Sequence, residues 1–177
     1  MIVNGQTLFE MAPIKDMESV KKTGHGVSYG MSEAGYDIRL KQNVVFSKSG
    51  DHGEMWVTVT TEDEGAYEGV FFHQLEQGRF ALASAIEEFD MPDDLIGIVH
   101  DKSTWARRGL SVFNTVIESG WKGYLTLELV YHGNEDLIIP ADTGIAQVVF
   151  HKTSCKSVYT GKYNHQADKP VSAIESK

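Results

Sequence analysis

The feature that most constrains the fold of this chain is a series of short apolar runs separated by Gly, Asp, Asn and Pro. Trp56 to Thr61 (WVTVTT) is rich in β-branched residues and alternates in polarity, which is typical of a strand. Further strands are predicted at residues 35–40, 44–46, 79–83, 96–99, 110–113, 124–131, 137–139 and 145–151, with an edge strand that ends at Gly78. Short strands with turn residues between them predict an all-β sandwich or barrel.

Few segments favour helix or irregular structure. A helix is predicted at Thr104–Gly109, with Ser103 and Thr104 as caps. Residues 1–30 are predicted to form a loop or at most one short helix, and an acidic loop is predicted within residues 62–69. The polar tail from Cys155 onward has little apolar surface, so we expect a bound ligand or a partner chain to order it.

Length, charge and cysteine content limit the classes to which this protein can belong. A chain of 177 residues with 41% hydrophobic content predicts one domain, residues 1–177. The net charge of -9 argues against non-specific nucleic-acid binding, which depends on surface Lys and Arg. Cys155 is the single cysteine, which excludes an intrachain disulfide and fits a reducing cytoplasm. Because no run of 18 apolar residues and no signal sequence is seen, we expect a cytoplasmic protein without a membrane partner.

The sequence lacks the motifs of several classes of enzyme. The chain does not combine the His-x-Glu and Pro-Cys-x-x-Cys motifs that hold zinc in zinc deaminases. A G-x-x-x-x-G-K-[ST] phosphate loop and a strand-linked G-x-G-x-x-G are also absent, and the seven histidines lack the i, i+4 spacing of zinc proteases. We therefore predict no metal ligands in the protein, and any activation of water is assigned to a carboxylate.

Glu128 is the leading candidate for that carboxylate. In the segment LTLEL the three leucines share one face of a strand, which places Thr126 and Glu128 on the other. One interpretation is an ordinary solvated glutamate on an exposed face. The other is a half-buried carboxylate whose pKa is raised toward neutrality, which suits a group that accepts and returns a proton.

The residues around the predicted helix allow two interpretations. Ser103 with Arg107 and Arg108 suits a phosphate site, because a helix start adds backbone donors to hydroxyl groups and a planar cation. A plain helix cap followed by solvated arginines explains the same residues.

Asp101 to Leu110 (DKSTWARRGL) resembles the G-[KR]-S-S-x-A-R-x-G-L motif of dCTP deaminases, which share a superfamily with dUTPases. Further segments resemble the family's other motifs in the same order, and the resemblance runs from about residue 33 to about residue 172. These segments are residues 35–40, 78–83, 91–95, 120–123, 126–128, 144–147 and 159–166.

The resemblance implies a dUTPase-like distorted β-barrel or jelly roll with one or two short helices. It also implies a homotrimer with sites between chains, Mg²⁺ carried on the nucleotide triphosphate, and a C-terminal arm, residues 155–177, that closes over the nucleotide. The implied activity is deamination of dCTP to dUTP with release of ammonia.

The resemblance also implies roles for individual residues. Glu128 matches the glutamate that takes a proton from water and passes one to the cytosine ring, so that hydroxide attacks C4. Ser103 and Arg107 match the residues that hold this water and the ring or the phosphates. The matches to triphosphate and sugar contacts are Lys102, Gln147, Tyr159, Lys162 and Gln166. The other expected substrate-binding residues are Thr104, Ala106, Asn114, Thr115, Glu118, Trp121, Thr126, Leu127 and Tyr163.

Two departures from the family pattern leave the identity of the substrate open. A nucleotide with a modified pyrimidine is one of the alternatives. Glu118 stands where the family usually has Asp, and its extra methylene moves the carboxylate by more than about 1 Å. Val116 stands where some members carry Arg. A dUTPase-like pyrophosphatase in which Glu118 handles the water, alone or combined with deamination, therefore stays open, although dUTPases have an apolar residue at the position of Glu128. A nucleotide-binding regulator without chemistry is the third hypothesis.

Overall fold

The computed structural model describes residues 1–49, 53–62 and 70–175, so most of the predicted acidic loop lies outside the described residues. Within these ranges the chain forms fourteen strands and two short helices, which confirms the predicted all-β class. The elements are β1 (Ile2–Val3), α1 (Gly5–Met11), β2 (Lys21–Gly24), β3 (Val27–Met31), β4 (Tyr36–Leu40), β5 (Asn43–Ser49), β6 (Glu54–Glu62), β7 (Val70–Gln77), β8 (Phe80–Asp90), β9 (Leu95–Asp101), α2 (Ser103–Ala106), β10 (Leu110–Val112), β11 (Val116–Ile117), β12 (Lys122–Tyr131), β13 (Leu137–Ile139) and β14 (Thr143–Lys152). Neither helix is long and apolar enough to cross a membrane, as judged on the described residues.

The strands form two antiparallel sheets. The larger sheet follows the order β10-β12-β8-β4-β14-β9-β11, with β1 added to β14 and the β2–β3 hairpin added to β4. The smaller sheet has the order β13-β5-β6-β7. In the described part of the chain β10 and β11 do not pair with each other, so the larger sheet remains open instead of closing into a barrel.

The core contains side chains of both sheets. Alternation along β12 buries Leu125, Leu127 and Leu129, as period-two geometry requires. Phe46 of the smaller sheet is fully buried and packs on Tyr131 of the larger one, with ring centroids 5.2 Å apart. This contact between aromatic rings joins the two sheets.

The N-terminal region corrects the prediction of a loop or one short helix. It contains α1 and also a β-hairpin formed by β2 and β3. His25 and Gly26 at its tip both have positive φ, 49° and 77°, as a two-residue hairpin turn with the twist of its strands requires. Of the glycines that indicated a loop here, Gly26 lies in the tight turn, and Gly24 and Gly30 lie in the strands beside it.

The predicted helix is shorter than expected and its capping was predicted wrongly. It spans Ser103–Ala106, and Lys102 is the residue at the N-cap, with extended backbone and no side-chain cap bond. Gly109 has a φ of 85°, which turns the chain out of helix and toward β10.

Strand β8 extends beyond the predicted residues 79–83 through the acidic segment to Asp90. The polarity of Glu87 concealed this extension, because its carboxylate points inward and is held there by Arg39. The Arg39 Nε donates to Glu87 Oε1 at 2.9 Å, and the Arg39 backbone N–H donates to Oε2 at 2.8 Å. Burial raises the pKa of the Glu87 carboxyl, and these bonds to Arg39 oppose that rise.

The polar tail, which was predicted to be ordered by a ligand or a partner chain, lies along residues 119–124 of its own chain. The backbone N–H of Tyr159 donates to the Ser119 carbonyl at 2.8 Å, and that of His165 donates to Lys122 at 2.8 Å. Backbone hydrogen bonds order this segment, and side-chain polarity does not reveal them.

We expect the Phe46→Ala substitution to lower the free energy of unfolding by about 3–5 kcal/mol, because it leaves a cavity at the contact between the sheets. Phe9→Ala, in α1 where the ring is 38% exposed, is the matched control and should cost about 1 kcal/mol or less. Chemical denaturation of both variants measures the difference. Equal losses would contradict the assignment of Phe46 to the core between the sheets.

Candidate functional site

A cavity of about 540 Å³ lies between β8, β11, β12 and the tail. Its size falls in the range of pockets that hold a small organic ligand. The lining residues are Phe80, Leu82, Thr115, Val116, Ile117, Glu118, Trp121, Leu125, Thr126, Glu128, Tyr159, Tyr163, Gln166, Val171 and Ala173.

The turn between β11 and β12 forms one wall of the cavity. The Trp121 backbone N–H donates to the Glu118 carbonyl at 3.1 Å, and Gly120 has a φ of 73°. At Gly123 the φ is 126°, and an added Cβ would lie 2.5 Å from the backbone nitrogen of Gln166. Glycine is therefore required where the tail approaches β12.

Glu128 faces this cavity from β12 and is half-buried. Its neighbours on the lining include the apolar side chains of Phe80, Leu82 and Leu125. Burial raises the pKa of the Glu128 carboxyl, and within residues 1–49, 53–62 and 70–175 no cation forms an ion pair with it. The structure thus supports a half-buried carboxylate over a solvated one.

Eight of the predicted site residues line the cavity together. They come from the residue before β11, from the turn after it, from β12 and from the tail, and they are Thr115, Glu118, Trp121, Thr126, Glu128, Tyr159, Tyr163 and Gln166. No lysine or arginine is among the described lining residues. The cavity suits an uncharged ring and sugar better than it suits phosphates.

The tail is fastened to the cavity wall. The Trp121 Nε1 donates to the Tyr163 carbonyl at 2.7 Å. The Thr126 hydroxyl accepts hydrogen bonds from the Val171 backbone N–H, at 3.0 Å, and from the side-chain amide of Gln166. Trp121, Thr126 and Gln166 therefore hold the tail in place on the lining in this structure.

A second set of predicted residues lies elsewhere. Ser103, Thr104, Ala106 and Arg107 belong to α2 and the residue after it, and none of them lines the cavity of its own chain. Arg107 is exposed, and its guanidinium forms no ion pair with any described residue. The chain therefore does not bring Ser103 and Arg107 to Glu128.

The remaining predicted residues are dispersed. Lys102 and Gln147 take part in a polar cluster around Asp37. Asn114 is exposed, and Leu127 points to the core face of β12. The amine of Lys162 donates to the carbonyl oxygen of Ile174 near the end of the tail. Roles for these residues in binding remain predictions.

Sequence reasoning missed the apolar half of the cavity. Leu82, Ile117, Leu125, Val171 and Ala173 line it and were not predicted site residues. Phe80 was missed as well, although its ring is 42% exposed and lies 6.4 Å from that of Phe113, which is 54% exposed. The two exposed rings mark this edge only in the folded chain, because residues 80 and 113 are far apart in sequence.

In the part of the chain that the structure describes, no three His, Cys, Asp or Glu side chains are grouped so that they could hold a metal ion.

Comparisons with known proteins agree on one family. A model of the dCTP deaminase-like family matches residues 14–153. A dCTP deaminase of Helicobacter pylori (strain Shi470) is 37% identical over 154 residues, which cover 79% of this chain and 78% of the relative. A dCTP deaminase of Campylobacter jejuni is 36% identical over 146 residues, which cover 79% of this chain and 78% of the relative.

Solved structures share the fold. The 2'-deoxycytidine 5'-triphosphate deaminase of Agrobacterium tumefaciens matches with a TM-score of 0.53 and 15% identity, over 85% of this chain and 48% of that chain. A mutant dUTPase of phage phi11 of S. aureus, described as coordinating a structural Mg(II) ion, matches with a TM-score of 0.50 and 13% identity, over 84% of this chain and 95% of that chain. At these identities the likeness shows the fold alone.

We expect Glu128→Gln to raise the free energy of unfolding at pH 7, because the raised pKa means that the ionised carboxylate destabilises the folded state. The gain should vanish as the pH falls below about 4.5, where the carboxyl is protonated in the folded and unfolded states alike. Urea unfolding at a series of pH values measures it.

Glu33→Gln is the control, and we expect it to change the free energy of unfolding at neutral pH in the opposite direction. The hydrogen bond from Lys21 lowers the pKa of Glu33, so this substitution should reduce stability at neutral pH and should have no effect at low pH. A loss of stability at pH 7 in Glu128→Gln would contradict the half-buried carboxylate.

Proposed function

The chain belongs to the dCTP deaminase-like family, and from this premise we propose that it deaminates dCTP to dUTP with release of ammonia. The observation that carries the proposal is the carboxyl of Glu128, half-buried on a cavity wall and raised in pKa by that burial. A group with this environment is suited to accept a proton and return it near neutral pH.

The chemistry follows from the position of Glu128. The pyrimidine ring enters the cavity, and Glu128 takes a proton from a water molecule whose oxygen attacks C4 of the cytosine. Glu128 delivers this proton to N3 of the ring and then moves the proton of the new C4 hydroxyl group to the amino nitrogen. The bond between C4 and that nitrogen breaks as the C4 carbonyl forms, and ammonia leaves. One water is consumed for each ammonia released, and dUTP remains. No step in this sequence needs a metal-bound hydroxide.

The complete site is proposed to form between chains of a homotrimer. Ser103 and Arg107 do not line the cavity of their own chain, so a neighbouring copy supplies them to hold the water and the nucleotide. The exposed rings of Phe80 and Phe113 and the exposed side chain of Val116 support a chain contact at the cavity edge, because apolar side chains of this size favour burial.

The phosphates are proposed to lie outside the cation-free cavity. They would be held by α2 of the neighbour and by tail residues such as Lys162. Mg²⁺ would arrive with the triphosphate, bound through phosphate oxygens, since this hard cation prefers oxygen ligands. The arm, residues 155–175 of the described chain, would remain over the ring and sugar.

A second candidate function is a dUTPase-like pyrophosphatase, alone or in combination with deamination. Glu118 lines the same cavity as Glu128, so a second carboxylate is available to align a water that attacks the α-phosphate. The binding regulator without chemistry predicts that neither product forms.

We expect Glu128→Gln to lower ammonia release from dCTP by about 10²–10⁴-fold while nucleotide binding changes little, because the amide cannot carry the proton. Ammonia and pyrophosphate should be assayed separately with dCTP, dUTP and Mg²⁺. Glu33→Gln, on the surface, is the control and should retain wild-type rates.

Each outcome of these assays bears on a different one of the three hypotheses. Ammonia release that survives in Glu128→Gln would show that another group is the base. Pyrophosphate from dUTP that is lost in Glu118→Gln would support the pyrophosphatase. Tight binding of dCTP with neither product would support the regulator.

A site between chains predicts complementation between two inactive variants. Arg107→Ala and Glu128→Gln should each be inactive alone, and co-expression should restore about one quarter of wild-type activity, because each interface then has one chance in four of pairing the two intact residues. Deamination by the co-purified protein measures the recovery. The two variants purified separately and assayed without subunit exchange provide the control, and no recovery on co-expression would contradict a shared site.

A further inference from the structure

We propose, on the basis of the nucleotide binding proposed above, that Asp37 is a positioning residue for the phosphate end of the nucleotide. It holds the amine of Lys102 in a fixed place before any nucleotide binds. Gln147 contributes through Asp37 and not by touching the phosphates. Asp37, Ser28, Lys102, Gln147 and Ser32 are called the Asp37 cluster below.

The Asp37 carboxylate is the centre of this cluster, and its side chain is only 3% exposed. Its Oδ2 accepts from the Lys102 amine and from the Ser28 hydroxyl, the latter at 3.0 Å. The Lys102 Nζ also donates to the Ser28 hydroxyl oxygen at 2.9 Å. Two partners therefore fix the direction of the lysine side chain, which is 12% exposed.

Gln147 faces the same carboxylate from the neighbouring strand β14. Its Nε2 donates to Asp37 Oδ1 at 3.2 Å and to the Ser32 hydroxyl at 3.0 Å. A primary amide nitrogen has two hydrogens, so both are directed into the cluster. The amide oxygen of Gln147 can only accept a hydrogen bond. Because a phosphate oxygen is also an acceptor, the two atoms do not bond to each other. Gln147 thus orients Asp37.

Lys102 retains one donor for a ligand. An ammonium group has three N–H donors, and two of them are used by Asp37 and Ser28. The side chain of a free lysine loses much rotamer freedom when it binds, and here that loss has occurred before the ligand arrives. The third N–H is therefore preorganised for an anion.

The cluster also fixes the start of α2. Lys102 is the residue at its N-cap, and the Trp105 Nε1 in the same helix donates to the Gly144 carbonyl at 2.7 Å. With both points held, Ser103 projects in a fixed direction. Buried ion pairs add little to stability compared with apolar packing, so orientation is what this cluster contributes.

A nucleophilic role for Ser28 does not fit. Ser28 stands in the sequence Gly26-Val27-Ser28-Tyr29-Gly30, which has the spacing of a nucleophile elbow. It lies within strand β3 of a hairpin, however, and not at a strand-to-helix turn. Its hydroxyl donates to the Asp37 carboxylate, which is also paired with the Lys102 amine, so both groups beside Ser28 already serve the ion pair.

The test compares binding of Mg²⁺·dCTP with binding of dCMP by titration calorimetry, using the whole protein. Ser28→Ala leaves the charge of the Asp37 cluster unchanged, and we expect it to reduce the preference for dCTP over dCMP about threefold. Asp37→Asn should reduce this preference about tenfold, because it frees the lysine and places an N–H against a donor. Thermal unfolding of each variant verifies that it is folded.

Matched controls lie elsewhere on the surface. Ser154→Ala removes a hydroxyl whose hydrogen-bond partner among the described residues is the sulfur of Cys155, and Asp94→Asn alters a partly exposed pair with Lys152. Neither should change the preference. If Asp37→Asn does not fold, the result for Ser28→Ala decides.

Equal losses for both nucleotides would show that the Asp37 cluster is only structural. A stronger preference for dCTP would show that Asp37 merely screens the charge of Lys102. Either result overturns the positioning role and leaves the deaminase proposal intact. If the wild type binds dCTP but releases no ammonia, the deaminase proposal is wrong. The change in preference for dCTP over dCMP in the variants then still tests the role of Asp37. If it binds neither nucleotide, both proposals are wrong.

Discussion

The alternation of side chains along β12 is the constraint on which the core and the candidate site both depend. Leu127 and Leu129 face the interior, whereas Thr126 and Glu128 line the cavity. The pairing with β8 is irregular between Tyr124 and Thr126, and the buried Leu125 lines the cavity as well. A slip of one residue in its pairing with β8 would bury the carboxylate in the core and expose the leucines. The apolar packing that stabilises the fold thereby also fixes the direction of Glu128.

The fold class and the order of most strands could be predicted from sequence, because β-branched runs and turn residues act locally. The hairpin at residues 21–31 and the inward-facing Glu87 could not, since glycine and acidic residues were interpreted by their average behaviour. A positive φ at a turn and the pairing of Glu87 with a partly buried arginine are properties of the folded chain. Local pattern therefore fails where tertiary contacts reverse a residue's usual preference.

Only part of the candidate site could be predicted from the sequence, because here too tertiary contacts decide which residues meet. Family motifs indicated eight residues that the structure gathers on one cavity, although they lie between residues 115 and 166. The apolar lining was missed because Leu82, Ile117 and Val171 resemble ordinary core residues in sequence. Backbone hydrogen bonds also fasten the tail to residues 119–124. Such bonds carry no side-chain signature.

The separation of charges links the proposed chemistry to assembly. Burial raises the pKa of the Glu128 carboxyl, and no lysine or arginine among the described lining residues opposes that rise. A guanidinium on the same wall would lower that pKa and weaken the base. By placing Arg107 on α2, away from its own cavity, the chain keeps Glu128 in its apolar surroundings. In the proposed trimer the cation arrives from a neighbour, where the phosphates it neutralises can offset its effect on the carboxylate.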